Sequence, residues 1–291
     1  MLISVIIPVS REGEGLYQRV KDFTDKLVSV AKEYGLYCEV LLITDLFHNQ
    51  TLKAMGLLAQ HGMVRSFLLT RRIGKGGSIK NAIPHARGDY IVLLDADIPI
   101  STEILIKVVR LAYATKVDVL VANRIYRTCT IARQVLSMAY NVLVNLLFQT
   151  GLRDHQAGFK ILSRRAARLI LGKRVRTDGL AYDTEIIVWA KKYGFAYRSV
   201  NVAWLEQRKG STIPPLRALL TMLADLLALR LLTLRGKDVA LQLQEISKII
   251  ELPTGKTVGK ESLTVIRTSG PKKKILNALR KLYIAVAVMK G

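Results

Sequence analysis

The chain has 291 residues, half of them hydrophobic, and carries 45 Lys and Arg against 22 Asp and Glu, a formal net charge of +23. That length suits one large domain or a domain with an appendage, and the charge points to polyanions: nucleotide phosphates, an anionic membrane face or nucleic acid. A mean hydropathy of +0.24, with no zinc-ligand spacing, helix-turn-helix pattern or aromatic RNA-binding motif, turns the expectation from nucleic acid toward a membrane surface.

The first residues, "MLISVIIPVS", start directly as a strand and lack a basic n-region, so no signal peptide is expected. Leu2 to Pro8 reads as a strand, Gly15 to Tyr34 as a helix closed by Gly35, and Tyr37 to Thr44 as a second buried strand. A helix over Asn49 to His61 follows, then a strand from Val64 to Leu69. "TRRIGKGGS" leads into a helix through Ala86, Tyr90 to Leu94 forms an oily strand, Thr102 to Thr115 a helix, and Asp118 to Ala122 a strand. Alternating apolar strands and helices predict an α/β fold with a Rossmann-like, mostly parallel sheet covered by helices on both faces. Ligands on such sheets bind at the carboxyl ends of the strands, where Asp45, Asp95 and Asp97 fall.

Beyond residue 125 the alternation fades. Ile131 to Gln149 reads as a long helix whose polar residues Arg133, Ser137, Asn141, Asn145 and Gln149 recur every four on an otherwise oily rod. Leu216 to Arg235 is similar, with Arg217, Thr221 and Asp225 spaced by four. Such helices are buried in a core or lie on a membrane as amphipathic interface helices; their charges exclude a transmembrane span. From Gly236 a Gly-, Pro-, Ser- and Lys-rich stretch reads as a linker with one short strand, and "KKKILNALRKLYIAVAVMK" as a basic amphipathic helix. Cys38 and Cys129, both in apolar surroundings, are expected to be reduced core thiols.

Two stretches carry chemistry. "LLDADIPI" ends a buried strand with Asp95 and Asp97, whose side chains can converge; two carboxylates held that close call for a cation between them. Mg²⁺ or Mn²⁺ favours such oxygen ligands, with a substrate phosphate completing the shell; a solvated acidic turn is the competing reading. "IGKGGSIKNAI", Ile73 to Ile83, is glycine-rich and basic at a helix start, suited to an anion, yet it matches neither the Walker pattern nor the dinucleotide fingerprint.

Together "SVIIPVSRE", "EVLLITD", "TRRIGKGGSIKNAIPHARGDYIVLLDADIP", "ANRIYR", "GLRDHQAGFKILSRRAA" and "GLAYDTEIIVWA" occur in an order that resembles family-2 glycosyltransferases of the GT-A fold, in the branch of polyprenol-phosphate sugar synthases. The resemblance covers roughly residues 2 to 212. It implies that Asp95 and Asp97 hold a divalent metal on the diphosphate of a nucleotide sugar. Pro8, Glu12, Asp45 and Lys75 would join Asp95 around the nucleotide. Arg124, Gln156 and Asp183 would be catalytic, and Asp154, Lys160, Glu185, Arg208 and Ser211 would border the acceptor. Thr44-Asp45-Leu46-Phe47 stands where D-D-G-S is usual, Pro99 where many relatives have Gln, and Thr212 where lysine is common.

The expectation is an inverting, metal-dependent enzyme. It would carry a hexose from GDP-mannose or UDP-glucose to a polyprenyl phosphate such as dolichyl phosphate, peripherally at the cytoplasmic face of a membrane, with no nucleic-acid partner. Residues 1–212 would be the catalytic domain, with an interface helix at 131–149. Residues 213–235 would form a second interface helix and 236–291 a basic extension. A soluble or protein-linked glycan acceptor, and a non-catalytic basic nucleic-acid-binding or scaffold protein, are the alternatives.

Overall fold

A computed structural model describes residues 1–13, 15–125, 131–178, 181–204, 215–234 and 264–266. Cys129, Arg208, Ser211, Thr212 and the basic helix expected after residue 270 lie outside them. The strands are β1 (Leu2–Val9), β2 (Tyr37–Thr44), β3 (Val64–Leu69), β4 (Tyr90–Leu93), β5 (Val119–Ile125), β6 (Lys160–Ser163), β7 (Tyr197–Ala203) and β8 (Thr264–Ile266). They form one eight-stranded sheet in the order β7-β5-β6-β4-β1-β2-β3-β8.

The apolar runs of β1, β2 and β4 form its middle. β1 pairs parallel with β2 and β4, Val5 opposite Val40 and Val92. Both faces of these strands are buried, which is why apolar residues run consecutively, as in Val5–Ile7 and Val40–Ile43, rather than at alternate positions; the buried Ser4 and Glu39 satisfy each other, the hydroxyl donating to Glu39 Oε1 at 2.5 Å. Each fully buried Ile or Leu here contributes roughly 1.5–3 kcal/mol.

Helices α1 (Gly15–Glu33), α2 (Asn49–Leu58) and α4 (Thr102–Ala114) cover one face, and α3 (Lys75–Ala82), α5 (Ile131–Phe148), α6 (Arg164–Leu169), α7 (Tyr182–Lys192) and α8 (Pro215–Leu234) the other. Local chemistry sets their ends. Gly35, at φ 63°, closes α1. Ser101 caps α4, its hydroxyl accepting from Ile104 N. α3 is shorter than expected: Ile83–His85 is a 3₁₀ turn, because Pro84 has no N–H for the α-helical ladder.

The departure from an all-parallel sheet is β6. It enters between β4 and β5 and runs antiparallel to both, Lys160 opposite Leu93 and Val121. The amino end of β6 therefore lies beside the carboxyl ends of its neighbours. The site is built along this composite edge.

Candidate active site

Just beyond β4, Leu94 N still donates to Ile6 O at 3.1 Å, and then the chain turns, Ile98 N donating to Asp95 O at 2.9 Å. Ile98 has φ 48°, a strained conformation for a β-branched residue, and persists only where the surroundings fix it. Arg19 on α1 helps to do so: its Nε donates to Ala96 O and its Nη2 to Glu12 Oε2, both at 2.8 Å. On the other side Gly158 packs so tightly on Asp95 that a Cβ there would overlap the carboxylate.

The two carboxylates are not equivalent. Asp95 Oδ1 is paired with Lys75 Nζ at 2.5 Å. Burial pushes the Asp95 carboxyl up, but the Lys75 ammonium outweighs it and holds the group below its ordinary range. Asp97 is pushed upward, first by burial and then by the charge of Asp95. Its Oδ1 is buried with no hydrogen-bond partner among the described residues. A buried carboxylate oxygen without a donor is costly, and a hard cation fits it. No third acid, His or Cys gathers with these two among the described residues. A Mg²⁺ or Mn²⁺ ion here would draw the rest of its shell from phosphates and water, the usual arrangement for such ions.

The glycine loop does not present its amides as the sequence suggests. Ile73 N and Gly74 N donate to Asp45 Oδ2 at 2.8 and 2.5 Å. Gly76 N and Gly77 N donate to Asp178 O, and Ser78 N to Gly74 O. With these donors committed, the loop is not a backbone cradle for phosphate, and the expected anion site at this helix start is corrected accordingly. What it offers is the side chain of Lys75, whose Nζ lies 5.5 Å from the centroid of the Tyr182 ring. Lys80 pairs with Asp178 at 2.5 Å and fastens the same loop.

The expected nucleotide-side residues fall on one edge. Pro8 is half-buried on β1, in register with Ile43. Glu12 is buried and paired with Arg19. Asp45 follows β2, one oxygen engaged by the loop.

The opposite edge holds Arg124 at the end of β5, its guanidinium bidentate on Asp154 at 2.6 and 2.9 Å and 5.4 Å from the Trp204 ring centroid. Asp154 feels burial, which raises its carboxyl, but Arg124 wins and holds it low. Asp154 Oδ1 also accepts from Gln156 N, and Gln156 Nε2 lies 3.5 Å from Met222 Sδ on α8. Lys160, fully buried, donates to Asp183 Oδ1 and Ala157 O, both at 2.5 Å. Burial drives the Lys160 ammonium down and the Asp183 carboxyl up. Glu185 accepts from the amides of Arg176 and Thr177 at 2.8 and 3.0 Å. Lys160 and Glu185 thus sit behind the site, as its supports, rather than in its wall.

Between these two edges lie the acidic pair and Lys75. Residues 4–171 fit the family model described as Glycosyl transferase family 2. The chain belongs to that family. It is 31% identical over 216 residues to Glycosyltransferase AglD of Haloferax volcanii, a match covering 72% of this chain and 34% of that protein, so it spans about a third of AglD's length. Over 248 residues it is 26% identical to the Dolichyl-phosphate beta-glucosyltransferase of Dictyostelium discoideum, covering 80% of this chain and 75% of that one.

Solved structures resemble this glycosyltransferase in fold. Mannosyl-3-phosphoglycerate synthase from Rubrobacter xylanophilus has a TM-score of 0.59 at 18% identity, covering 81% of this chain and 75% of its own. Glucosyl-3-phosphoglycerate synthase from Mycobacterium tuberculosis, solved with Mn²⁺, UDP and glucosyl-3-phosphoglycerate, has a TM-score of 0.56 at 16% identity, covering 78% and 79%. The fold is GT-A.

The glycosyltransferase carries one further device, on α5. Asn141 and Asn145 of its polar stripe face inward. Asn141 Oδ1 accepts from His155 N and contacts His155 Nδ1, and His155 Nε2 meets the Thr150 hydroxyl at 2.6 Å. Asn145 donates to Leu152 O and accepts from Gly151 N and Thr150 Oγ1. The helix therefore clasps the loop that delivers Asp154 and Gln156, while Val135, Met138, Val142 and Leu146 are exposed on its outer side. On α8, Met222, Leu226 and Leu229 are buried against the same core and Leu227 and Leu231 face out. No described helix is long and apolar enough to cross a membrane.

Arg19, His155 and Gly158 have structural parts in this site that sequence reasoning did not assign. Gly158 sat inside the quoted "DHQAGFK" and could have been found there. His155 lies in the same stretch, with partners at Thr150 and Asn141, whereas Arg19 carries no local signal, since Ala96 lies 77 positions away.

Proposed function

We propose that this glycosyltransferase moves a hexose, with inversion, from UDP-glucose or GDP-mannose to a polyprenyl phosphate, with Mg²⁺ or Mn²⁺, at the cytoplasmic face of a membrane. The observation that carries the reading is a cleft of about 590 Å³ between the end of β5, α5 and the 151–154 loop, where Arg124 shares one wall with the exposed apolar residues Met138 and Val142. Asp154 in the same lining neutralises one charge, and Arg124 with Arg153 leaves a positive excess, so a cationic end and an apolar rim suit a molecule with an anionic head and a hydrocarbon tail. The names of the dolichyl-phosphate relatives support the same acceptor class, and the +23 net charge favours an anionic surface.

In this reading an acceptor phosphate oxygen forms a bond to the anomeric carbon while the bond from that carbon to the donor diphosphate breaks. The ion, when bound by Asp95 and Asp97, supplies charge stabilisation to the departing diphosphate. Lys75 adds a positive charge beside it. Arg124, steadied by Asp154 and the Trp204 ring, holds the acceptor phosphate. Asp183 is already occupied by Lys160, which suits an acceptor that is anionic at neutral pH and needs no base. Asp183 then orients the site through Lys160, and Glu12 and Asp45 border the base and ribose. Residues 131–148 and 215–234 form the lipid-facing side, and Arg208 and Ser211 would border the acceptor from outside the described residues.

The test is transfer from each labelled donor, with Mn²⁺ or Mg²⁺, to anionic vesicles containing a polyprenyl phosphate and to soluble phosphorylated acceptors. Label in the lipid extract is expected. Label recovered only in a soluble product would overturn the lipid acceptor, and no transfer from any donor would overturn the enzyme itself.

A further inference from the structure

The acidic pair is half neutralised by the chain itself. Lys75 Nζ lies 2.5 Å from Asp95 Oδ1, while Asp97 Oδ1 is buried without a hydrogen-bond partner among the described residues. The backbone around Lys75 is pinned on both sides, through Asp45 and through Asp178 O, so the loop cannot withdraw as a unit. The side chain can: lysine carries its charge on a flexible four-carbon stem, and the Tyr182 ring at 5.5 Å offers the ammonium a second cation-binding face. We propose that Lys75 is the resident counter-ion of Asp95 in the donor-free protein, and that a divalent ion and a nucleotide diphosphate displace it together, Lys75 passing from Asp95 to the diphosphate. This rests on the reading that Asp95 and Asp97 hold the ion.

The charge balance explains why ion and nucleotide should bind as a unit. Asp95, Asp97 and Lys75 together carry a formal charge of minus one. A divalent ion alone makes the site positive and leaves Lys75 repelled by the ion with nothing new to pair with. A diphosphate alone loads the site with anions. With the ion, the doubly charged diphosphate of a nucleotide sugar returns the site to its starting balance, and free UDP or GDP leaves it about one charge more negative. A lysine at this point thus suppresses idle metal binding and makes donor binding conditional on the ion.

The experiment measures Mn²⁺ binding to the full chain by the EPR signal of free Mn²⁺, with and without UDP or GDP, for the parent and for Lys75→Met, Lys75→Gln and Lys75→Arg. Removing the ammonium frees Asp95. Met and Gln should therefore bind Mn²⁺ alone about tenfold more tightly, while the strengthening of Mn²⁺ binding by nucleotide shrinks about tenfold. Arg, which keeps the charge, should leave binding of the ion alone near the parent value. Two substitutions of different polarity guard against a folding artefact in either. If both Met and Gln bind Mn²⁺ alone no more tightly than the parent, the counter-ion role is wrong. Asp97→Asn separates this from the underlying reading: unchanged Mn²⁺ binding in the presence of nucleotide would mean that the acidic pair is not the metal site at all.

Discussion

Arg19 reaches from α1 to the carbonyl of Ala96, the residue between the two acidic residues, donating from Nε to Ala96 O at 2.8 Å while its Nη2 holds Glu12. One side chain thereby ties Glu12, on the edge proposed for the nucleotide, to the Asp95–Ile98 turn proposed for the metal, and opposes relaxation of the left-handed Ile98. Arg19→Met should weaken metal-dependent nucleotide binding about tenfold or more, since small misplacements of a site are expensive. Arg19→Lys, able to make one contact but not both, should recover part of it. Titration calorimetry with UDP or GDP and Mn²⁺ measures this, and equal binding by all three proteins would remove Arg19 from the positioning machinery.

Gly158 is required because its α-carbon occupies the space against the Asp95 carboxylate. Gly158→Ala should therefore displace Asp95 and lower transfer by roughly a hundredfold while circular dichroism stays that of the parent. Full activity in this variant would show that Asp95 has room to move.

Adjacent residues on α5 should respond in opposite ways. Asn145→Ala strips hydrogen bonds from Leu152, Thr150 and Gly151 and should cost about 2–3 kcal/mol of stability in denaturant titration. Leu146 is 73% exposed. Leu146→Gln, made together with Val142→Gln, should change stability by less than about 1 kcal/mol yet reduce flotation with anionic vesicles. Unaltered flotation would separate this face from lipid.

Two buried groups give opposing pH signatures. His155 is wholly buried, and burial pushes its pKa down to about 4 from the ordinary histidine value of 6.5. The folded state binds this proton less readily than the unfolded one, so the contribution of neutral His155 is complete above pH 6.5, erodes below it and is gone below about 4. Asp225 on α8 is half-buried and pushed up by burial to about 6. Its contribution is full below the ordinary carboxylate pKa and is lost as pH rises through 6. Asp225→Asn should therefore stabilise the protein by about 1–2 kcal/mol at pH 8 and by little at pH 4. Thermal melts across that range check both signs; a gain for Asp225→Asn that grows toward pH 4 would contradict the assignment.

The first half of the fold is legible because each strand there carries a consecutive run of apolar residues, interrupted by polar positions such as Ser4, Glu39 and Ser66, and because Gly35, Pro84 and the Ser101 cap punctuate the intervening helices. The second half hides its order. β6 is four residues long and opens on a buried lysine whose neutralising Asp183 lies 23 positions away. α7 is buried from Tyr182 to Ala190, acids included, and shows no amphipathic stripe. The glycine loop has the composition of an anion cradle, but two outside acceptors, Asp45 and Asp178 O, take its amides. In α5 the four-residue polar period is plain, whereas which side points inward depends on a loop that periodicity does not contain.

β6 bears on how the enzyme comes into being. The ribosome delivers β1 through β5 first, and at that stage β4 borders the space that β6 will fill. Asp95 then has neither Gly158 at its side nor Lys160 nearby. The centre is completed only when β6 adds antiparallel to β4, joins β5 to the sheet, and Asp183 arrives to neutralise its lysine. Chemical competence is thus deferred until about residue 185 has folded, and a shortened translation product would be a sheet without a working centre.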